Sequence, residues 1–136
     1  MDIKTSSGVY FYVSRNSFYS TIESVIPYDV TRLNIGGAMN LASGVFTAPV
    51  SGRYQFNFVA VANADRTGVF LRLNGVRIAF GWGMLQNDNL AITATLELQK
   101  GDTIDTFLNS GSIADSNSYY DTQFTGILLE EDLVLS

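Results

Sequence analysis

The sequence predicts an all-β domain built as an antiparallel sandwich, and three observations lead to this fold class. Short runs of β-branched and aromatic residues recur along the chain, separated by polar segments with turn residues. Several runs alternate between apolar and polar positions, which is the period of a strand with one face in a core. No stretch keeps the apolar spacing of an amphipathic helix, so we expect almost no helix. Roughly eight to ten short strands follow from this pattern.

The N-terminal part begins with a predicted strand and continues into irregular segments. Residues 9–13, VYFYV, combine β-branched and aromatic side chains over the length of one strand. Residues 21–26 have the composition to start a helix, but Pro27 would end it after about one turn. The residues that follow this proline are expected to be extended, and Gly36 and Gly37 mark a loop.

The stretch at residues 46–58, FTAPVSGRYQFNF, is predicted to contain the central strand. Its alternating positions place three rings on one face, those of Tyr54, Phe56 and Phe58. Pro49 lacks a backbone donor and Gly52 tolerates the positive φ of a tight turn. The residues before Pro49 are therefore expected to end a strand that turns into the central one.

The next part of the chain predicts a hairpin and a loop. Residues 68–73 and 76–80 flank an Asn-Gly pair, and both residues of this pair tolerate the positive φ of a type I′ turn. Residues 81–89 begin with Gly-Trp-Gly and are expected to form a loop that contains Trp82.

The C-terminal part predicts three more strands. Residues 90–98 alternate over nine positions, with leucine, isoleucine and alanine on one face. Residues 100–102, Lys-Gly-Asp, are the expected turn into a strand at residues 103–108. A long polar loop at residues 109–121 then precedes the last strand, at residues 124–129.

Composition bounds the domain organisation and the location. At 136 residues, the chain is expected to form one domain over residues 1–136. Hydrophobic residues make up 46% and charged residues 15%, which indicates that a partner, most simply a second copy, covers apolar surface. No cysteine is present, so no disulfide framework is available. No apolar run approaches the roughly 20 residues of a membrane span, and the first residues are unlike a secretory signal.

Charge and residue types exclude several functional classes. Eight basic and 13 acidic residues give a net charge of −5, which argues against nucleic acid and anionic membranes as partners. Without histidine or cysteine, no Ser-His-Asp triad, Cys-His nucleophile or zinc site is available. No acidic residue lies in a recognisable glycosidase motif. We therefore expect a protein that binds a ligand and is no enzyme.

Two predicted loops carry groups suited to a ligand. The later loop contains Asp115, Asn117, Tyr119, Tyr120 and Asp121. These two tyrosines, with Trp82 of the earlier loop, would stack on the apolar face of a sugar while polar neighbours bond its hydroxyls. Alternatively, the rings pack on a neighbouring subunit or cover the core. Residues 86–89 and 115–121 also supply the oxygen groups that calcium prefers, with solvated acidic loops as the alternative.

The spacing of the central stretch resembles the signature of the C1q domain family, the trimeric globular heads of complement and their relatives. The matching residues are Asn34, Phe46, Gly52, Tyr54, Phe56 and Phe58. Tyr28 and Met39 stand where the family usually has phenylalanine or another large apolar residue. Further similar segments are residues 68–75, LELQKGD with Gly101 and Asp102, and FTGILL with Phe124 and Gly126. The resemblance covers nearly the whole chain.

The resemblance implies a fold, an assembly and a metal. Proteins of this family fold as a ten-stranded antiparallel jelly roll. They assemble as homotrimers and are secreted. In several family members calcium lies near the threefold axis, held partly by an aspartate before the long alternating strand. Asp88 occupies a similar place, two residues before Leu90. The alternative for Asp88 is a turn residue without a metal.

The resemblance also implies a function. We expect a lectin-like pattern-recognition protein of innate immunity, which binds carbohydrate or microbial surfaces through three sites that act together. The alternative is a cytokine-like or structural extracellular ligand that binds a protein receptor, as in the tumour necrosis factor superfamily. In both cases the chain binds itself and inserts into no membrane.

Overall fold

The computed structural model describes residues 8–114 and 122–132, and these residues form strands and turns without a helix. The all-β fold class is therefore confirmed. The strands are β1 (Tyr10–Ser14), β2 (Ser24–Val25), β3 (Val30–Ile35), β4 (Met39–Asn40), β5 (Val45–Thr47), β6 (Gly52–Ala62), β7 (Thr67–Leu73), β8 (Val76–Gly83), β9 (Asn89–Leu98), β10 (Thr103–Ser110), β11 (Ile113–Ala114) and β12 (Gln123–Glu131). Within the described part, no helix of the kind that spans a membrane occurs.

The strands form two antiparallel sheets, which we call the β6 sheet and the β7 sheet after their central strands. In the β6 sheet, β9 pairs with one edge of β6, and β12 and β11 share its other edge. β1 and β3 continue this sheet beyond β12. The β7 sheet has the order β4-β5-β10-β7-β8, and β2 pairs with β10. This is the two-layered arrangement of a jelly roll.

The core lies between the two sheets and is dominated by aromatic rings. Tyr54, Phe56 and Phe58 of β6 are at most 1% exposed, as the alternation predicts. The ring centroid of Phe56 lies 5.4 Å from that of Phe46 in the β7 sheet and 6.2 Å from that of Phe124 in β12. The rings of the central strand thus pack against both sheets.

A glycine makes room for another ring in this core. Gly126 lies between Phe11 and Phe56 across the strands of the β6 sheet. A Cβ atom on Gly126 would lie 2.8 Å from Cζ of Phe11 and 2.9 Å from Cδ1 of Phe56. Any larger residue would therefore displace a core ring.

Tyr28 occupies a core position where the family usually has phenylalanine, and its hydroxyl group has a partner. Its side chain is 3% exposed, and its oxygen lies 2.6 Å from Oγ1 of Thr106. Burial raises the pKa of the Tyr28 phenol far above its usual range. The hydrogen bond with Thr106 satisfies the extra polar atom, so tyrosine replaces phenylalanine without an orphaned donor.

Two other signature residues, Asn34 and Asp102, stabilise turns through side-chain hydrogen bonds. The side-chain amide of Asn34 donates to the carbonyl oxygen of Met39 at 2.8 Å and so closes the connection between β3 and β4. Gly101 and Asp102 lie in the turn between β9 and β10. The Asp102 carboxylate accepts hydrogen bonds from the Asn74 side chain at 3.0 Å and from the backbone N–H of Gln99 at 2.8 Å. Both hydrogen bonds lower the pKa of Asp102.

The Asn-Gly hairpin is confirmed, whereas several predicted boundaries are wrong. Asn74 and Gly75 have φ angles of 51° and 80°, as a type I′ turn requires. No helix starts at residues 21–26; β2 forms there by pairing with β10. β8 continues through Gly83, so Trp82 lies on a strand and not in a loop. β10 likewise extends to Ser110, and β11 follows it within the predicted loop.

The core position of Phe56 leads to a stability prediction. We expect Phe56→Ala to lower the free energy of unfolding by about 3–5 kcal/mol, because it leaves a cavity among the core rings. Urea unfolding at one protein concentration measures this change. Val76→Ala is the control, since Val76 is 66% exposed and its truncation should change stability by less than about 0.5 kcal/mol. Equal losses in the two variants would contradict this account of the core.

Candidate functional site

The end of the earlier predicted loop and the described residues on both sides of the later one lie at the terminus of β6. The amide of Ala62, the last residue of β6, donates to the carbonyl oxygen of Asp88 at 2.8 Å. Ile113 of β11 pairs with Ala62 as well. The hydroxyl of Thr122 donates to the carbonyl oxygen of Ala114 at 3.3 Å, so residues 114 and 122 are neighbours.

Most of the predicted ligand residues lie outside the described residues. These are Asp115, Asn117, Tyr119, Tyr120 and Asp121. Their part in binding a ligand stays a prediction. The described residues on both sides place only the ends of their segment, at the terminus of β6.

Asp88 stabilises a turn. One carboxylate oxygen accepts the backbone N–H of Leu85 at 3.0 Å, and its own N–H donates to the Leu85 carbonyl at 3.1 Å. Neighbouring Asn87 has a φ of 77°, which a tight turn requires. In the described part of the chain, no three acidic residues are grouped so that they could hold a metal. The part of Asp88 in a calcium site stays a prediction.

Trp82 belongs to an aromatic row on the outer face of the β7 sheet. Phe107 of β10 stacks on Phe70 of β7, with ring centroids 6.1 Å apart. Phe70 contacts Phe80 of β8 at 5.5 Å, and Phe80 stacks on Trp82 at 5.7 Å. The row therefore crosses three strands, and its last two rings are the most open, with 47% of Phe80 and 41% of Trp82 exposed.

Two arginines lie over this row in different electrostatic settings. Arg72 bonds both oxygens of Asp105, at 2.8 Å and 3.0 Å, and its guanidinium lies 4.1 Å from the Phe107 ring centroid. The Asp105 side chain is only 7% exposed, so this is a largely buried ion pair. Arg77 lies 5.1 Å from the Phe70 ring centroid, and no salt bridge joins it to a carboxylate of the described residues.

The outer face of the β6 sheet carries a second exposed surface, which is apolar. Its large side chains are Tyr10 (38% exposed), Leu33 (45%), Ile35 (43%), Val59 (40%) and Ile127 (42%). Tyr10 pairs directly with both Ile35 and Ile127, so these three form a continuous row across β3, β1 and β12. We call these five residues the apolar face. It points away from the aromatic row, because the two outer faces of a sandwich are opposite.

Comparison with known proteins agrees with this architecture. The sequence profile of the C1q domain matches residues 10–129. The chain belongs to the C1q domain family. Its signature rings are thus the core of a C1q domain, and the apolar face and the aromatic row lie on the two opposite outer surfaces of that domain.

Two curated relatives each contain a segment similar to this chain. Complement C1q tumor necrosis factor-related protein 3 of Homo sapiens is 30% identical over 126 residues, which cover 89% of this chain and 51% of the relative. Caprin-2 of Danio rerio is 28% identical over 135 residues, which cover 94% of the chain and 15% of the relative. The chain therefore spans about half the length of the first relative and a small part of the second.

Solved structures support the fold. The globular domain of the zebrafish complement 1qA protein superposes with a TM-score of 0.76 at 18% identity, covering 91% of this chain and 99% of that one. Murine APRIL at pH 5.0 superposes with a TM-score of 0.72 at 12% identity, covering 90% and 99%. The C1q domain thus shares its fold with both of these structures.

The buried ion pair of this C1q domain yields a second stability prediction. We expect Arg72→Met to lower the free energy of unfolding by about 3–5 kcal/mol, because it leaves the Asp105 carboxylate buried without its cation. The double variant Arg72→Met/Asp105→Leu should recover most of this loss, since neither charge is then buried alone. Thermal and urea unfolding measure both variants. A double variant as unstable as the single one would show that packing, and not charge, stabilises this position.

Proposed function

We propose that this C1q domain forms an extracellular homotrimer that binds carbohydrate on microbial surfaces and catalyses no reaction. Family membership supports a recognition role. The residue types add to this, because the chain has no histidine or cysteine for the common nucleophilic mechanisms. The proposal separates into an assembly step and a ligand step, which different experiments test.

The exposed apolar face is the observation that carries the assembly step. Soluble monomers rarely leave a large contiguous apolar patch in water, and such patches mark interaction surfaces. A closed ring of three subunits joins two different surfaces of each subunit. We assign the apolar face as one of them, and the exposed edge residues Met84 (55%) and Leu85 (60%) as part of the other. Three copies of this chain would then hide the apolar side chains that one copy exposes.

The ligand step depends on the three-fold repetition of weak sites. The segment with Tyr119 and Tyr120 is our candidate for contact with sugar, because tyrosine rings and neighbouring Asp, Asn and Ser suit a pyranose. A rigid trimer would engage a repetitive glycan surface at several points, and the combined affinity would exceed that of one site by about a hundredfold or more.

An aspartate in the apolar face should separate the subunits. We expect Ile127→Asp to reduce the molar mass in solution from that of a trimer to that of one subunit, because a buried carboxylate without a partner is costly. Size-exclusion chromatography with light scattering gives the mass, and Val76→Asp on the opposite side is the control that stays trimeric. A wild-type monomer at micromolar concentration would contradict the proposed assembly.

Binding to whole bacteria tests the ligand step. The wild type should bind cells and be displaced by free saccharide, and the Ile127→Asp monomer should bind about a hundredfold more weakly through loss of avidity. Tyr119→Ala and Tyr120→Ala should also weaken binding, whereas Val76→Ala, at an exposed position beside the Asn-Gly turn, serves as the control. If free saccharide does not displace the protein and neither tyrosine substitution weakens binding, the alternative is favoured, a cytokine-like ligand for a protein receptor.

A further inference from the structure

We propose that the exposed end of the aromatic row binds an acidic sugar. A pyranose ring stacks on Phe80 and Trp82, and the carboxylate of the sugar pairs with Arg77. This inference rests on the proposed carbohydrate recognition and specifies a second site for it, on strands instead of loops. The ligand class is an oligosaccharide that contains uronic acid or another carboxylated sugar.

The two outer rings form a platform on the surface of the sheet. Their centroids are 5.7 Å apart with planes inclined by 30°, and nearly half of each side chain is open to solvent. The platform exists because Gly68 on the neighbouring strand has no side chain. A Cβ atom there would lie 3.1 Å from Cε3 of Trp82 and 3.2 Å from Cε2 of Phe80, so both rings close over the glycine. Rings held in this way present apolar surface of the kind that the C–H face of a sugar contacts.

The platform is fixed before any ligand arrives. The Phe80 ring packs against Phe70, and Phe70 stacks on Phe107. The guanidinium of Arg72 lies over the Phe107 ring. The bidentate Arg72–Asp105 pair holds that guanidinium in place. A ligand therefore loses little free energy in ordering these side chains, which favours binding to a shallow surface.

The charge of the site selects an acidic ligand. Asp105 neutralises Arg72, whereas the contacts of Arg77 in the described residues are with the faces of Phe70 and Phe80, at 5.1 Å and 6.0 Å. A guanidinium binds a carboxylate through two parallel hydrogen bonds, which suits it to a uronic acid. The 6.0 Å from Cζ of Arg77 to the Phe80 centroid is short enough for one sugar unit to reach both groups. The protein as a whole carries a charge of −5, so an acidic ligand needs this local cation.

The proposed trimer leaves the outer face of this site open, and its second contact surface, at Met84 and Leu85, begins two residues beyond Trp82. The apolar face lies on the β6 sheet, and the aromatic row lies on the opposite outer surface of the sandwich. Three sites per assembly would then face outward, where a polysaccharide can reach all of them. An extended peptide could instead pair with the edge strand β8, and the experiment below separates the two.

Tryptophan fluorescence reports on this site alone, because Trp82 is the only tryptophan of the chain. We expect a galacturonate oligomer to change the emission of Trp82 in a saturable way. The methyl ester of the same oligomer keeps the sugar rings but lacks the charge, and it should bind at least about tenfold more weakly. Arg77→Gln should weaken binding of the acidic oligomer by a similar factor, measured by calorimetry. Arg53→Gln removes the same charge from the other sheet, on β6, and should leave the affinity unchanged.

The outcomes separate this site from the general proposal. Trp82→Ala should abolish calorimetric binding of the galacturonate oligomer while circular dichroism shows an intact fold, since Trp82 lies on the outer face of the sheet and outside the core. If the oligomer binds wild type and Trp82→Ala equally, this site is wrong, although carbohydrate recognition elsewhere stands. Equal affinity for the acid and its ester, or binding only of an acidic peptide, also overturns the inference. If bacteria bind and the oligomer does not, the general function survives without this site.

Discussion

The contact of aromatic rings across the two sheets is the constraint on which the rest of this fold depends. Phe56 meets Phe46 from the opposite sheet and Phe124 from its own, so one cluster fixes the distance and the angle between the layers. Gly126 admits the ring of Phe11 to the same cluster. Protein interiors are close-packed, so a change in the volume of one core ring shifts its neighbours. The positions of the strand edges and surface loops therefore depend on these rings.

Strands whose pattern is local could be predicted from the sequence, and strands made by distant partners could not. The alternation at β6 and β9 and the Asn-Gly turn carry their own signal. β3, in contrast, exposes Leu33 and Ile35, so its pattern does not resemble a strand with a buried apolar face. It exists because β1 pairs with it. Short β2 likewise depends on β10, more than 80 residues later in the chain.

Two features of the candidate site could not be predicted from the sequence either, because packing between the sheets and strand register produce them. Gly81 and Gly83 suggested a loop around Trp82, yet these glycines lie inside β8 because they face side chains of another strand. A Cβ on Gly81 would lie 3.1 Å from Cγ1 of Ile92, so the glycine is required by packing between the sheets. The Arg72–Asp105 pair had no signal at all, since 33 positions separate its partners and only the β7–β10 register brings them together. Phe70 and Arg72 alternate with Val69 and Leu71, which are buried, and this alternation indicates an outer face.

The strand pairing of β1 with β12 has a consequence for how such a domain is built into larger proteins. Tyr10, at the start of β1, lies beside Ile127, near the end of β12. Polypeptide added before the one and after the other would leave from neighbouring points on a single sheet. Such a unit can be spliced into a long polypeptide as a side module without stretching the flanking segments. This geometry fits relatives in which the matching segment is as little as 15% of the protein.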